Sequence, residues 1–340
     1  MRPLRLRRVA GLGARCNDVL YQPPASVVHG VSDPASAGQE DQTLVFFGGD
    51  VQDYPEVMLA HRDNRHYAQY SLDAATSVLA EHFPKHHVCV VRPSRIEYKS
   101  FSCYDNFVPS NNAGVPDHTP THSALEHLER LLQEVGRRLQ SLSQSELADS
   151  AAPDDADIEG LKSASTPLVL DSNTEAAAVD QPTAPPWLQS PTLHTSALTL
   201  VGFSKGCVVL NQLVHEFHHE TTRETRDQSV MRFMDRIKCM YWLDGGHAGG
   251  RDTWLTSRPL LETLGRLNVK IYVHVSPYQV EDPSRPWIGR EEKAFTGQLR
   301  KLGANISRYL HPTAAPSLHS HFAVLADFKR VQEAECEDKQ

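Results

Sequence analysis

The chain has 340 residues, 40% of them hydrophobic, and a formal net charge of -8; it can bury a substantial core, and it lacks the basic surface that phosphate contacts demand. No apolar run approaches the roughly 20 residues needed to cross a bilayer, so neither a nucleic-acid module nor a membrane span is expected. The cysteines Cys16, Cys89, Cys103, Cys207, Cys239 and Cys336 are scattered without a C-x-x-C pair, a pattern of reduced thiols and not of a disulfide framework or structural zinc.

The amino terminus, MRPLRLRRVAGLGARCND, carries Arg2, Arg5, Arg7, Arg8 and Arg15 before its first acid, Asp18. An arginine-rich, acid-free stretch with leucines between has the composition of a mitochondrial transit peptide, and it lacks the longer apolar centre of a secretory signal. Residues 20–41 are rich in Pro, Ser, Gly and Asp. Residues 1–41 are therefore expected to be a targeting segment plus a flexible lead-in, and the destination the mitochondrial matrix.

Strand-like runs follow: TLVFFGG (43–49), HVCVVRP (87–93), ALTLVGF (197–203), KCMYWLDGG (238–246), KIYVHVSP (270–277) and a weaker NISRYLHP (305–312). Helix patterns alternate with them. LDAATSVLAEHF (72–83) and ALEHLERLLQEVGRRLQSL (124–142) have apolar residues at helical spacing, the latter as a stripe of Leu125, Leu128, Leu132, Val135 and Leu139. The stretch after Ser204 and residues 257–267 and 290–302 are further helix candidates. Continuous apolar strands alternating with helices predict an α/β fold with a mostly parallel central sheet and helices on both faces. Residues 144–195 are poor in large apolar side chains and rich in Ala, Asp, Ser and Pro, as in a disordered insertion. One domain, 42–143 and 196–332, is thus interrupted, with a tail at 333–340.

Gly202-Phe203-Ser204-Lys205-Gly206 satisfies G-x-S-x-G between a strand pattern and a helix pattern. That context belongs to a nucleophile elbow, a sharp turn that holds a serine hydroxyl above the carboxyl end of a sheet. Such a serine needs an orienting acid and a histidine base, in the chain order Ser, Asp or Glu, His. Asp282, after KIYVHVSP, and His321, in SLHSHFAVL, fit that order. Asp244 in MYWLDGGHAGG competes for the acid, and His319 and His247 for the base. The oxyanion donors are expected to be the backbone amides of Lys205 and of the Gly49 to Asp50 loop, where glycines allow close approach. Asp50 is awkward there, because a carboxylate aimed at the hole would oppose the developing charge. The Tyr, Asp and Asn of KSFSCYDNFVPSNN (99–112) read equally as cleft residues or as turn formers.

His215-Glu216-Phe217-His218-His219 matches H-E-x-x-H, a helical zinc motif. However, Leu210, Leu213, Val214 and Phe217 mark the buried stripe of that helix, which turns His215 and His219 toward water. No metal is expected.

The elbow and its surroundings resemble the α/β-hydrolase superfamily over roughly residues 43–330, the insertion excluded. More narrowly, FFGGDVQDYPEVM, SFSCYDNFVPSN, LVGFSKGCVVLNQL, MYWLDGGHAGG and SPYQVEDPSRPWIGREEKAF are similar to an animal family of mitochondrially targeted proteins named after an open reading frame on human chromosome 2. The resemblance implies a hydrolase-like fold and mitochondrial residence, but no substrate. Two functions follow as expectations: a serine hydrolase using Ser204, Asp282 and His321 on an ester, thioester or amide, without a cofactor, or a non-catalytic protein that binds a partner or metabolite in the same cleft.

Overall fold

All six strand-like runs become strands. They are β3 (Gln42–Phe47), β4 (His86–Val91), β7 (Ala197–Phe203), β8 (Ile237–Leu243), β9 (Lys270–Val275) and β10 (Ile306–Leu310). This computed structural model describes residues 2–25, 42–141, 193–312 and 315–337. The expected insertion at 144–195 falls almost wholly outside the described residues, as do 26–41 of the lead-in and the end of the tail.

With β1 (Leu4–Ala10) and β2 (Cys16–Gln22) they form an eight-stranded sheet in the order β1-β2-β4-β3-β7-β8-β9-β10, while β5 (Arg95–Glu97) and β6 (Phe101–Cys103) pair separately. From β4 to β10 every pairing is parallel. Alternate residues of each central strand enter opposite cores, as the pleat requires. Val45 and Phe47 face one core, with Cys89, Leu200 and Trp242, whereas Leu44 and Phe46 face the other, with Val90, Val201 and Tyr241. A strand apolar on both faces has to be covered on both faces.

Helices provide that cover. Over the first face lie α3 (Ala124–Ser141), α4 (Cys207–Thr222), α5 (Gln228–Asp235), α6 (Arg258–Arg266) and α8 (Pro286–Lys301). The apolar stripe of α3 is buried as its spacing predicts. Over the second face lie α2 (Leu72–His82) and α9 (Leu318–Glu337). Short α1 (Pro55–Ala60) and α7 (Pro277–Val280) sit in loops at the carboxyl ends of β3 and β9. This is an α/β-hydrolase-like fold.

The amino terminus differs from expectation. Leu4–Ala10 and Cys16–Gln22 are strands β1 and β2, an antiparallel pair that adds to the edge of β4. Residues 4–10 and 16–22 thus contribute two strands to the sheet. The period is two: Leu4 and Leu6 point inward, and Arg5 and Arg7 outward. A register shift between Leu6 and Val9, with Arg8 at φ 48°, then turns Val9 inward. Arg5 reaches Glu56 at 2.6 Å and Asp73 at 2.9 Å, and Arg7 reaches Asp18 at 3.1 Å. The arginine composition fits a leader, but its alternation with buried leucines fits a half-buried strand.

The hairpin is also tied to α3. His127 Nδ1 accepts from the Leu12 amide at 3.0 Å, so its proton is on Nε2, which faces Asn17 Oδ1 at 3.0 Å. Burial holds this imidazole down at about 4. Gly11 is required beside it, since a Cβ there would stand 2.2 Å from the ring.

Candidate active site

Strand β7 ends at Phe203, and Ser204 follows with φ 52°, in the left-handed region that non-glycine residues rarely occupy. The neighbouring glycines make that turn possible. A Cβ on Gly202 would lie 2.9 Å from Cys207 Cα, and one on Gly206 would lie 1.9 Å from the Phe47 carbonyl oxygen. Strand, serine and α4 therefore form a strained bend of the nucleophile-elbow kind. The Phe47 to Asp50 loop lies against it, because a Cβ on Gly49 would be 2.7 Å from Ser204 Cβ.

His321, in the first turn of α9, brings its ring over Phe203, centroid to centroid 4.6 Å, next to the serine in the chain. Tyr278 packs on the same imidazole at 5.1 Å. The Nδ1 of His321 lies 2.7 Å from Asp244 Oδ2. Asp244 directly follows β8, the strand beside β7, and it is fully buried. Its other bonds come from Ser276, which donates its amide to Oδ1 at 2.7 Å and its hydroxyl to Oδ2 at 2.5 Å. The Asp244 carboxylate accepts each of these bonds, which places the imidazole proton on Nδ1. The Nε2 is then the basic nitrogen.

Asp282, the first choice for the acid, is engaged elsewhere. Its carboxylate accepts from the Ser284 amide at 2.8 Å and from Arg285 Nε at 2.7 Å. Ser284 and Arg285 hold it down at about 2. It organises the turn that leads into α8, and the partner of His321 is Asp244, the competing candidate. Chain order admits both acids; sheet order favours Asp244, whose strand neighbours that of Ser204. Ser276 is the signal that was missed, a polar residue closing β9 whose burial needs a polar partner.

The other histidines are not joined to that acid. His319 is exposed and lies 3.5 Å from the Tyr70 hydroxyl. His247 accepts from the Gly249 amide at 3.0 Å, and burial lowers it to about 4. It shapes its own loop.

The oxyanion loop needs one correction. The Gly49 amide is committed to Gln52 Oε1 at 2.8 Å, so Gly49 is not a free donor. The Asp50 carboxylate accepts from the Ser102 amide at 2.8 Å and lies 3.5 Å from Lys205 Nζ. In the 99–112 stretch, Tyr104 donates its hydroxyl to the Gly48 carbonyl at 3.0 Å, and Asn106 donates to the Cys16 carbonyl at 2.8 Å. Asp105 pairs with Arg95 at 2.5 Å. These residues brace the loops around the site.

The H-E-x-x-H residues have other partners. Glu216 is buried and accepts from the Ala124 and Leu125 amides at 2.7 and 2.9 Å, capping α3. His215 is half-buried and stacks on His118 at 5.1 Å, a departure from the water-facing position expected of it. Among the described residues no group of three or more His, Cys, Asp or Glu is placed to hold a metal ion. Nor is any described helix long and apolar enough to cross a membrane.

A family model described as C2orf69 matches residues 5–305. Over 286 residues the chain is 38% identical to mitochondrial protein C2orf69 homolog of Mus musculus, covering 83% of this chain and 76% of that one. Over 287 residues it is 38% identical to mitochondrial protein C2orf69 of Homo sapiens, covering 83% and 72%. Among solved structures it is similar to brefeldin A esterase, a bacterial homologue of human hormone sensitive lipase, at 14% identity and TM-score 0.41, over 96% of this chain and 73% of that one. Esterase Est22 is similar at 12% identity and TM-score 0.44, over 99% and 80%.

Proposed function

The chain belongs to the C2orf69 family, and on that premise we propose that it is a mitochondrial serine hydrolase, resident in the matrix, acting on an ester, thioester or amide. The observation that carries this reading is the imidazole of His321, bonded to buried Asp244 and stacked over the residue before the strained Ser204. The mitochondrial part rests on the names of the relatives.

In this reading Ser204 Oγ attacks the substrate carbonyl while its proton passes to His321 Nε2. Asp244 fixes the tautomer and balances the imidazolium. The amides of Lys205 and Asp50 face the oxyanion. Collapse breaks the bond to the leaving oxygen, sulfur or nitrogen, which takes the proton from His321. Water then repeats the sequence on the acyl-serine and releases the acid.

A fluorophosphonate probe tests the reading. Labelling of the wild type, absent from Ser204→Ala of equal melting temperature, supports it. No labelling of folded wild type removes it and supports the second reading, a binding protein with a hydrolase-like cleft, which the carboxylate of Asp50 beside the elbow favours.

A further inference from the structure

Lys205, the residue after the serine, has a side chain with no exposed surface. An ammonium in such a place is costly unless it is paired. Its Nζ donates to the Ala113 carbonyl at 2.8 Å, stands 3.5 Å from Asp50 Oδ2 and lies over the Phe101 ring at 5.7 Å. An apolar side chain would fill the same space without that cost, so the charge itself needs a reason.

Asp50 provides one. It belongs to the loop that touches Ser204, where an uncompensated carboxylate would repel an oxyanion in a poorly solvated site. The rest of the loop is held atom by atom. Tyr104 binds the Gly48 carbonyl at 3.0 Å, Ser102 Oγ binds the Gly49 carbonyl at 2.8 Å, and Gln52 takes the Gly49 amide at 2.8 Å. Ser102 N–H holds Asp50 Oδ1 at 2.8 Å, and Lys205 faces Oδ2. Among the described residues the Asp50 amide has no such internal partner.

We infer that Lys205 is a positioning residue whose ammonium cancels the charge of the Asp50 carboxylate and draws it aside, so that the Asp50 amide is left to receive an oxyanion. The inference rests on the hydrolase reading of Ser204. Burial pushes the Asp50 carboxyl up, and Lys205 opposes that rise. His321 and Tyr104 are further titratable groups whose fields meet Asp50.

The test is the rate at which a fluorophosphonate labels Ser204 in the full chain, followed against pH. Lys205→Met is expected to slow labelling at least about tenfold near pH ~8. The deficit relative to wild type should shrink as pH falls and Asp50 takes a proton. The double variant Lys205→Met with Asp50→Asn should recover most of the lost rate. A deficit constant with pH, or a double variant as slow as Lys205→Met, overturns the inference and leaves the hydrolase reading standing. If Lys205→Met does not melt cooperatively, Asp50→Asn alone decides: faster labelling than wild type supports the pair, and equal or slower labelling overturns it. A wild type that is not labelled at all removes the hydrolase reading, and this inference with it.

Discussion

Asp244 and His321 are 77 positions apart in the chain and share a 2.7 Å hydrogen bond inside a buried site. One follows the last residue of β8 and the other lies in the first turn of α9, so the contact exists only once α9 has docked on the sheet.

Replacing Asp244 by Asn should therefore cost chemistry more than structure. The amide keeps the shape but offers the imidazole the wrong pattern of donors, and labelling of Ser204 should fall by on the order of 10⁴. Asp282→Asn should label at a rate near that of wild type, because Asp282 serves Ser284 and Arg285. The reverse result would return the acid to Asp282.

Deleting residues 1–24 should abolish cooperative unfolding. The deletion removes buried Leu4, Leu6, Val9, Val19, Leu20 and Tyr21. At about 1.5–3 kcal/mol for each large apolar side chain the loss rivals the whole stability of a typical domain, about 5–15 kcal/mol. Protein recovered from mitochondria should still yield peptides from 4–22 by mass spectrometry. Their absence from the folded protein would contradict the edge hairpin.

Acid should loosen that hairpin through His127. Its folded value, about 4, is below the ordinary 6.5. The neutral ring therefore stabilises the fold fully above 6.5, and this contribution is lost as pH falls from there toward 4, at up to about 1.4 kcal/mol per pH unit. Protonated Nδ1 can no longer accept from Leu12. The melting temperature of wild type should fall more steeply over this window than that of His127→Gln; parallel curves would show that the ring does not titrate as argued.

Glu216→Ala should lower stability by about 2 kcal/mol, because two amides at the start of α3 lose their acceptor. Chelators should leave the melting temperature of the wild type unchanged. A shift with chelator would revive the metal reading of H-E-x-x-H.

The sheet was legible because each central strand is apolar on both faces, as in VCVV of β4 and YWL of β8, and only a doubly covered parallel sheet accommodates such runs. The elbow was legible because two glycines must flank Ser204. The orienting acid was less so. Chain order constrains it only to the interval between serine and histidine, where Asp244 and Asp282 both follow strands. What separates them is spatial: the strand of Asp244 adjoins that of the serine, and Ser276 closes above it. At the amino terminus composition and periodicity pointed in different directions, and the leucines of LRLRRVA, with their buried faces, decided the outcome.

The edge hairpin also bears on assembly order. β2 pairs with β4, and β4 with β3, whose other neighbour is β7. A polypeptide that emerges amino end first, from a ribosome or through a translocation pore, presents its arginine-studded opening strands long before their docking site exists. Those strands have nowhere to settle until residues 86–91 arrive. During that interval Arg5 also waits for Glu56 and Asp73, the carboxylates that neutralise it in the finished fold.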